Sequence, residues 1–167
     1  IAPEPVKKAA RSVANSARDL AKEGHWEKNK DAIISAARAA GVDPATMAKI
    51  ANFESSFNLD AAPIARDEKK NKVRLFDGRM GISSAHGLGQ FTDDTWRGTI
   101  NKYGGSYGID GAGVRGGKSG NLSKEEAQKY RTDPKIQAAM LAEFTRDNVE
   151  VGRKLGGTND DANFYAL

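Results

Sequence analysis

The segment that most limits what this chain can fold into is Asp43 to Ser55, because both its ends and one of its faces can be read at once. Asp43 suits an N-cap, and Pro44 suits the first helical position, where its missing N–H costs nothing. At about 100° per residue, Met47, Ile50, Ala51 and Glu54 fall on one stripe. Three of these are apolar, so the stripe faces a core and Glu54 stands where the pattern asks for an apolar side chain. Two readings follow. A boundary glutamate can bury its methylenes and carry its carboxylate out to water. Alternatively, burial and the negative end of the helix dipole both disfavour the charged form and raise the pKa, as a general acid requires.

The core that such a stripe needs must come from other helices. Val6, Ala10, Val13, Ala17 and Leu20 recur in steps of four and three, which predicts an amphipathic helix from Pro5 to about Ala21 that Gly24 ends. Its small residues mark residues 1–25 as an accessory helix beside a domain at 26–167. A second helix, from near Glu27 to Ala40, would bury Ile33, Ile34 and Ala37, with Gly41 as its C-cap. Between Ala62 and Ser83 the pattern becomes a charged loop and then two alternating runs around Asp77-Gly78, a hairpin signal. Thr92 is read as the cap of a helix to about Tyr103, with Asp93 and Asp94 complementing its dipole.

The stretch Gly104 to Gly120 contains eight glycines and no periodicity, and is read as a long surface loop of the kind that is functional or mobile. Ser123 and Glu126 form a capping box for a short helix from Lys124 to Tyr130, which explains Asn121-Leu122-Ser123 better than glycosylation does. Asp133-Pro134 opens a helix with Ile136, Met140, Leu141, Phe144 and Val151 as its buried stripe, ending near Gly156. A last helical turn is expected from about Asp160. The fold class is therefore α+β, mostly α-helical, with a small β-hairpin.

Composition narrows the function classes. The chain has 167 residues, 38% hydrophobic and 29% charged, and no apolar run near the ~18 residues of a membrane span, so stable membrane insertion is set aside. Without cysteine there is no disulfide, thiolate site or thiol nucleophile, and two histidines are too few for most zinc sites, so neither a metal nor another cofactor is expected. The net charge of +4 favours an anionic partner, whether nucleic acid, acidic lipid or acidic wall polymer. Nucleic acid is set aside, because the basic residues are interleaved with acids and no recognition helix or aromatic platform is visible. Ala112 to Ser119 fits a loosened phosphate loop, but it lacks the buried strand before and the apolar helix after. The start at Ile1, with no Met and no signal-like segment, suggests a processed product or a piece of a longer protein.

Two motifs carry a resemblance. Glu54-Ser55-Ser56-Phe57-Asn58, followed by Ser84-Ala85-His86-Gly87-Leu88-Gly89-Gln90-Phe91, resembles the paired E-S-x-F-N and G-A-x-G-L-x-Q elements of the soluble lytic transglycosylase family. Thr132 to Met140 and Phe164-Tyr165-Ala166-Leu167 look like its bacteriophage muralytic members, whether endolysin or virion-associated. The likeness covers Asp43 to Leu167, about three quarters of the chain.

That resemblance implies a lysozyme-like fold and cleavage of the β-1,4 bond between N-acetylmuramic acid and N-acetylglucosamine in peptidoglycan. Glu54 would act first as acid on the leaving oxygen and then as base on the C6 hydroxyl, closing a 1,6-anhydro ring. Gln90 would reach into the cleft, Ala85 to Leu88 and Phe91 would shape the groove, and Tyr165 would hydrogen-bond near Glu54. Ser84 stands where the family has Gly, and Ser83 is assigned the substrate-side hydroxyl. The partner would be peptidoglycan glycan strands, met in the bacterial periplasm or wall by a monomeric catalytic domain, alone or as one part of a larger phage protein. His86 occupies a variable motif position and is read as a surface or supporting residue. The hairpin of the insertion is expected at one lip of the groove.

Two rivals stand beside this reading. A hydrolytic muramidase on the same fold would use Asp60, Asp93 or Asp94 to position a water, a matter of spatial separation that sequence does not contain. A non-enzymatic wall-binding or virion structural protein would grip glycan without cleaving it.

Overall fold

The computed structural model describes residues 4–154, with side chains from 15 to 152. Five α-helices and one two-stranded sheet run in the order α1 (Glu4–Ala40), α2 (Pro44–Ser55), β1 (Val73–Arg74), β2 (Met80–Gly81), α3 (Asp93–Tyr103), α4 (Lys124–Gln128) and α5 (Pro134–Lys154). The protein is mostly helical with a small antiparallel hairpin, as the sequence predicts. Helix α5 lies at the centre, against α1, α2 and α3.

The expected break at Gly24 does not occur. Helix α1 runs unbroken for 37 residues, roughly 55 Å at 1.5 Å per residue. A helical glycine costs only about 1 kcal/mol relative to alanine, and Gly24 is flanked by Ala, Leu, Lys and Glu, which favour helix. Residues 15–21 are exposed, Leu20 at 69%, whereas the half from Trp26 onward packs on the core through Ile33, Ala36, Ala37 and Ala40. The accessory segment and the domain thus share one helix.

Local signals account for most other boundaries. The Asp43 carboxylate accepts from the Thr46 amide at 3.3 Å and hydroxyl at 3.0 Å. The capping box of Ser123 and Glu126 is present in both directions. In the hairpin, Val73 faces Gly81 and Arg74 faces Met80, with Asp77-Gly78 at the turn. Thr92 makes no side-chain cap to α3; instead the Asp93 amide donates to Ser84 Oγ at 3.0 Å.

The buried face of α5 differs from the expected stripe. Ile136, Met140 and Leu141 are core, but Phe144 is 37% and Val151 45% exposed, while Glu143 and Thr145 are fully buried. A stripe read from hydrophobicity alone overlooks buried polar groups that have partners. Glu143 has several: it accepts from Tyr107 Oη at 2.7 Å and from both the Nε and an Nη nitrogen of Arg115, and Arg146 lies 3.5 Å away. Burial, then the Glu143 carboxylate, pushes the Tyr107 hydroxyl up to about 12.

Arg115 thereby pins the glycine-rich segment to α5. That segment folds back on the end of α3, where the Gly113 and Gly120 amides both donate to the Asn101 carbonyl, at 2.7 and 2.8 Å. A Cβ on Gly113 would meet that carbonyl at 2.7 Å, so glycine is needed here for backbone-on-backbone packing.

Candidate active site

Helix α2 ends at Ser56, whose left-handed φ of 50° lets the Ser56 and Phe57 amides donate back to Asn52 and Ala51. Phe57 is also left-handed, at φ 65°, and is held there by α1: Asn29 Nδ2 donates to its carbonyl at 2.9 Å, and the Trp26 ring lies 4.9 Å from its own. In the second motif, His86 and Phe91 form a bridge around a turn that places Gln90 at φ 51°. Among the described residues, these three are the non-glycine residues with positive φ, and all belong to the two motifs. Such backbone costs about 1–3 kcal/mol per residue and persists only where its surroundings over-determine it.

The surroundings do so at Leu88. Its amide donates to Gln137 Oε1 at 2.9 Å, and its carbonyl accepts from Ser55 Oγ at 2.8 Å. Gln137, buried in α5, also donates to the carbonyls of Leu59 and Arg131. One motif is therefore stapled to the other through Ser55, and to α5 through Gln137. The two ends of the second motif are gathered by Arg131, only 1% exposed, whose guanidinium donates to the carbonyls of Ser84 and Phe91 and to Asp93 Oδ1 at 2.9 Å. It lies 5.4 Å from the centroids of both Phe76 and Trp96.

This framework leaves a cavity of about 140 Å³ at the end of α2. Ile50 and Glu54 line it from α2 and Gly89 from the second motif; Leu141, Phe144, Thr145 and Asn148 line it from α5. Glu54 is half-buried, makes no hydrogen bond or ion pair among the described residues, and has its pKa raised by burial. A side-chain Cβ at Gly89 would meet Leu141 Cδ1 at 2.9 Å, so loop and helix approach each other closely here. Larger concavities exist; that between α1 and α5, about 470 Å³, is lined largely by alanines.

The other predicted site residues distribute unevenly. Gln90 Nε2 donates to the carbonyls of Ala61 and Gly87, at 2.8 and 2.9 Å, so its amide holds the loop rather than lining the cavity. Ser83 Oγ accepts from the Ala85 amide at 3.2 Å, and neither residue lines the cavity. Leu88 and Phe91, expected in the groove, are core residues at 1% and 5% exposure: the turn points both side chains inward, where Phe91 backs Phe144 edge-on at 5.4 Å. The hairpin contributes nothing to the lining. Tyr165 lies outside the described residues, as does the turn expected from Asp160.

His86, read as a surface or supporting residue, is not at the surface: it is buried against the edge of Phe76 at 4.8 Å. Burial, then the nearby Arg131 and Arg79, lowers its pKa to about 4, so it is neutral at ordinary pH.

Thr145, Asn148, Gln137 and Arg131 escape the sequence reading. The signal for the first two was available: Leu141, Phe144, Thr145 and Asn148 share the i, i+3, i+4, i+7 face of one helix. No family model, curated protein or solved structure matches this chain.

Proposed function

We propose that the protein is a glycan-cleaving enzyme of lysozyme-like fold, a peptidoglycan lytic transglycosylase with Glu54 as its single acid and base. The observation that carries this reading is a carboxyl group raised in pKa by burial, without a partner among the described residues, at the head of a cleft between two motifs of strained backbone. A protonated Glu54 donates to the glycosidic oxygen as the bond to the anomeric carbon breaks. The resulting carboxylate then takes the proton of the muramyl C6 hydroxyl as that oxygen closes on the anomeric carbon. The group ends protonated, and no water is consumed. Asn148 offers its amide group to sugar substituents, and the buried Thr145 backs the cleft floor behind it.

The hydrolytic alternative has less support. Among the described residues lining the cavity, Glu54 is the one carboxylate. Asp93 is occupied by Arg131 and Gln128, and Asp94 and Asp60 are exposed elsewhere. Mass spectrometry of murein digests tests the reading directly: 1,6-anhydromuramic ends are expected, and reducing muramic ends would replace it with hydrolysis. Intact murein would leave a glycan-gripping protein.

A further inference from the structure

The segment from Ala62 to Ser83 holds six basic residues against three acidic ones, most of the chain's net charge of +4. The hairpin sorts them. Gly81 is turned inward, where an added Cβ would lie 3.0 Å from Leu75 Cδ1 and 3.1 Å from the Pro63 carbonyl. Strand alternation then sends Arg74 and its partner Met80 outward, and one step along the same register sets Lys72 opposite Ile82 on the same face. Exposure agrees: Met80 is 38% and Ile82 55% exposed, and Lys72 and Arg74 are exposed. The Ile82 amide donates to the Pro63 carbonyl at 2.8 Å, which brings Ile64, 50% exposed, alongside. Lys69 and Lys70 follow in the adjoining short 3-10 turn. Whereas Arg79 is held by Asp77 and the Asp60 carbonyl, neither Lys69, Lys70, Lys72 nor Arg74 has an ion pair among the described residues.

We propose that this outer face is a docking surface for an anionic lipid bilayer. Unneutralised cations suit headgroup phosphates, and three exposed apolar side chains suit the shallow interface just beneath them. A flexible polyanion, or a nucleic acid, would engage the cations but leave Ile64, Met80 and Ile82 in water. The contact is superficial: among the described residues no helix is long and apolar enough to cross a membrane.

Co-sedimentation of the whole chain with vesicles of phosphatidylcholine, with and without phosphatidylglycerol, tests this. Binding is expected only to the vesicles that contain phosphatidylglycerol, and to weaken with salt. Each cation removed costs about fivefold, so Lys72→Gln with Arg74→Gln lowers the partition constant by roughly 25-fold. Met80→Ser with Ile82→Ser lowers it at least several-fold. Absence of binding, equal binding to neutral vesicles, or indifference to the apolar substitutions overturns the proposal, the last by showing a polyanion site. Should the hairpin variants lose their thermal transition, Lys69→Gln with Lys70→Gln on the 3-10 turn replaces them, and unchanged binding there overturns it equally. Glu54→Gln binds like the parent, so the result is independent of the catalytic reading.

Discussion

Glu54 and Glu143 are both glutamates on helices that meet at the core, yet their surroundings are opposite. Glu143 is wholly buried and receives hydrogen bonds from Tyr107 and Arg115, with Arg146 beside it. Glu54 is half-buried and has no such partner among the described residues. A buried charge with a full set of donors holds two segments together, here the glycine-rich segment and α5. A carboxyl group desolvated without donors holds nothing together, and its protonation state stays poised to change. Burial alone does not separate architecture from chemistry; the partners do.

Substitution at the two acids should therefore give complementary failures. Glu54→Gln is expected to lower murein cleavage by about 10²–10⁴-fold, the usual worth of a general acid, while the fold survives. Turbidity clearance of permeabilised cells and circular dichroism read the two together; unchanged clearance would end the catalytic assignment. Glu143→Gln keeps the shape but removes the charge that faces Arg115 and Arg146, and should cost about 3 kcal/mol in denaturant unfolding, with cleavage by the folded fraction retained. Equal stability to the parent would break the contrast.

Between these extremes lies the staple that joins the two motifs. Ser55→Ala leaves the Leu88 carbonyl without its donor and should cost about 1–2 kcal/mol, with a loss of cleavage at temperatures where the fold remains intact. The smallest effect sharpens the comparison at Glu54 itself. Because burial raises its pKa, the folded state holds a proton that the unfolded chain has already released. Stability therefore falls as pH rises from the ordinary glutamate range, about 4.3, through the folded value. Glu54→Gln removes this loss, so its Tm should lie slightly above the parent's at neutral pH, with the gap closing on acidification. A gap independent of pH would mean that Glu54 is as well solvated as a surface acid.

Much of this was legible in the chain, for identifiable reasons. Caps are local, so Asp43, Ser123 and Asp77-Gly78 could be read where they stand. The unusual placement of Glu54 followed from periodicity alone. What escaped depended on long-range partners. Gly24 is a local exception, a stop signal outweighed by its neighbours' helix propensity, whereas Thr92 stands at the N-cap position as read but leaves the Asp93 amide to Ser84, nine residues before it, as side-chain acceptor. Glu143 and Arg131 look like surface charges because the partners that bury them lie 28 and 36 residues away for the first and 38, 40 and 47 for the second. Likeness of motif places Leu88 and Phe91 in the groove, whereas the turn between His86 and Phe91 directs them into the core.

The unbroken α1 has a mechanical consequence. A helix of this length is a stiff rod with no joint at Gly24, and its inner half carries the two contacts, from Trp26 and Asn29, that hold Phe57 in its left-handed turn immediately beyond Glu54. A pull or twist on the outer half thus reaches the Glu54 end of α2 without being absorbed by a linker. The exposed segment is a handle on the cleft.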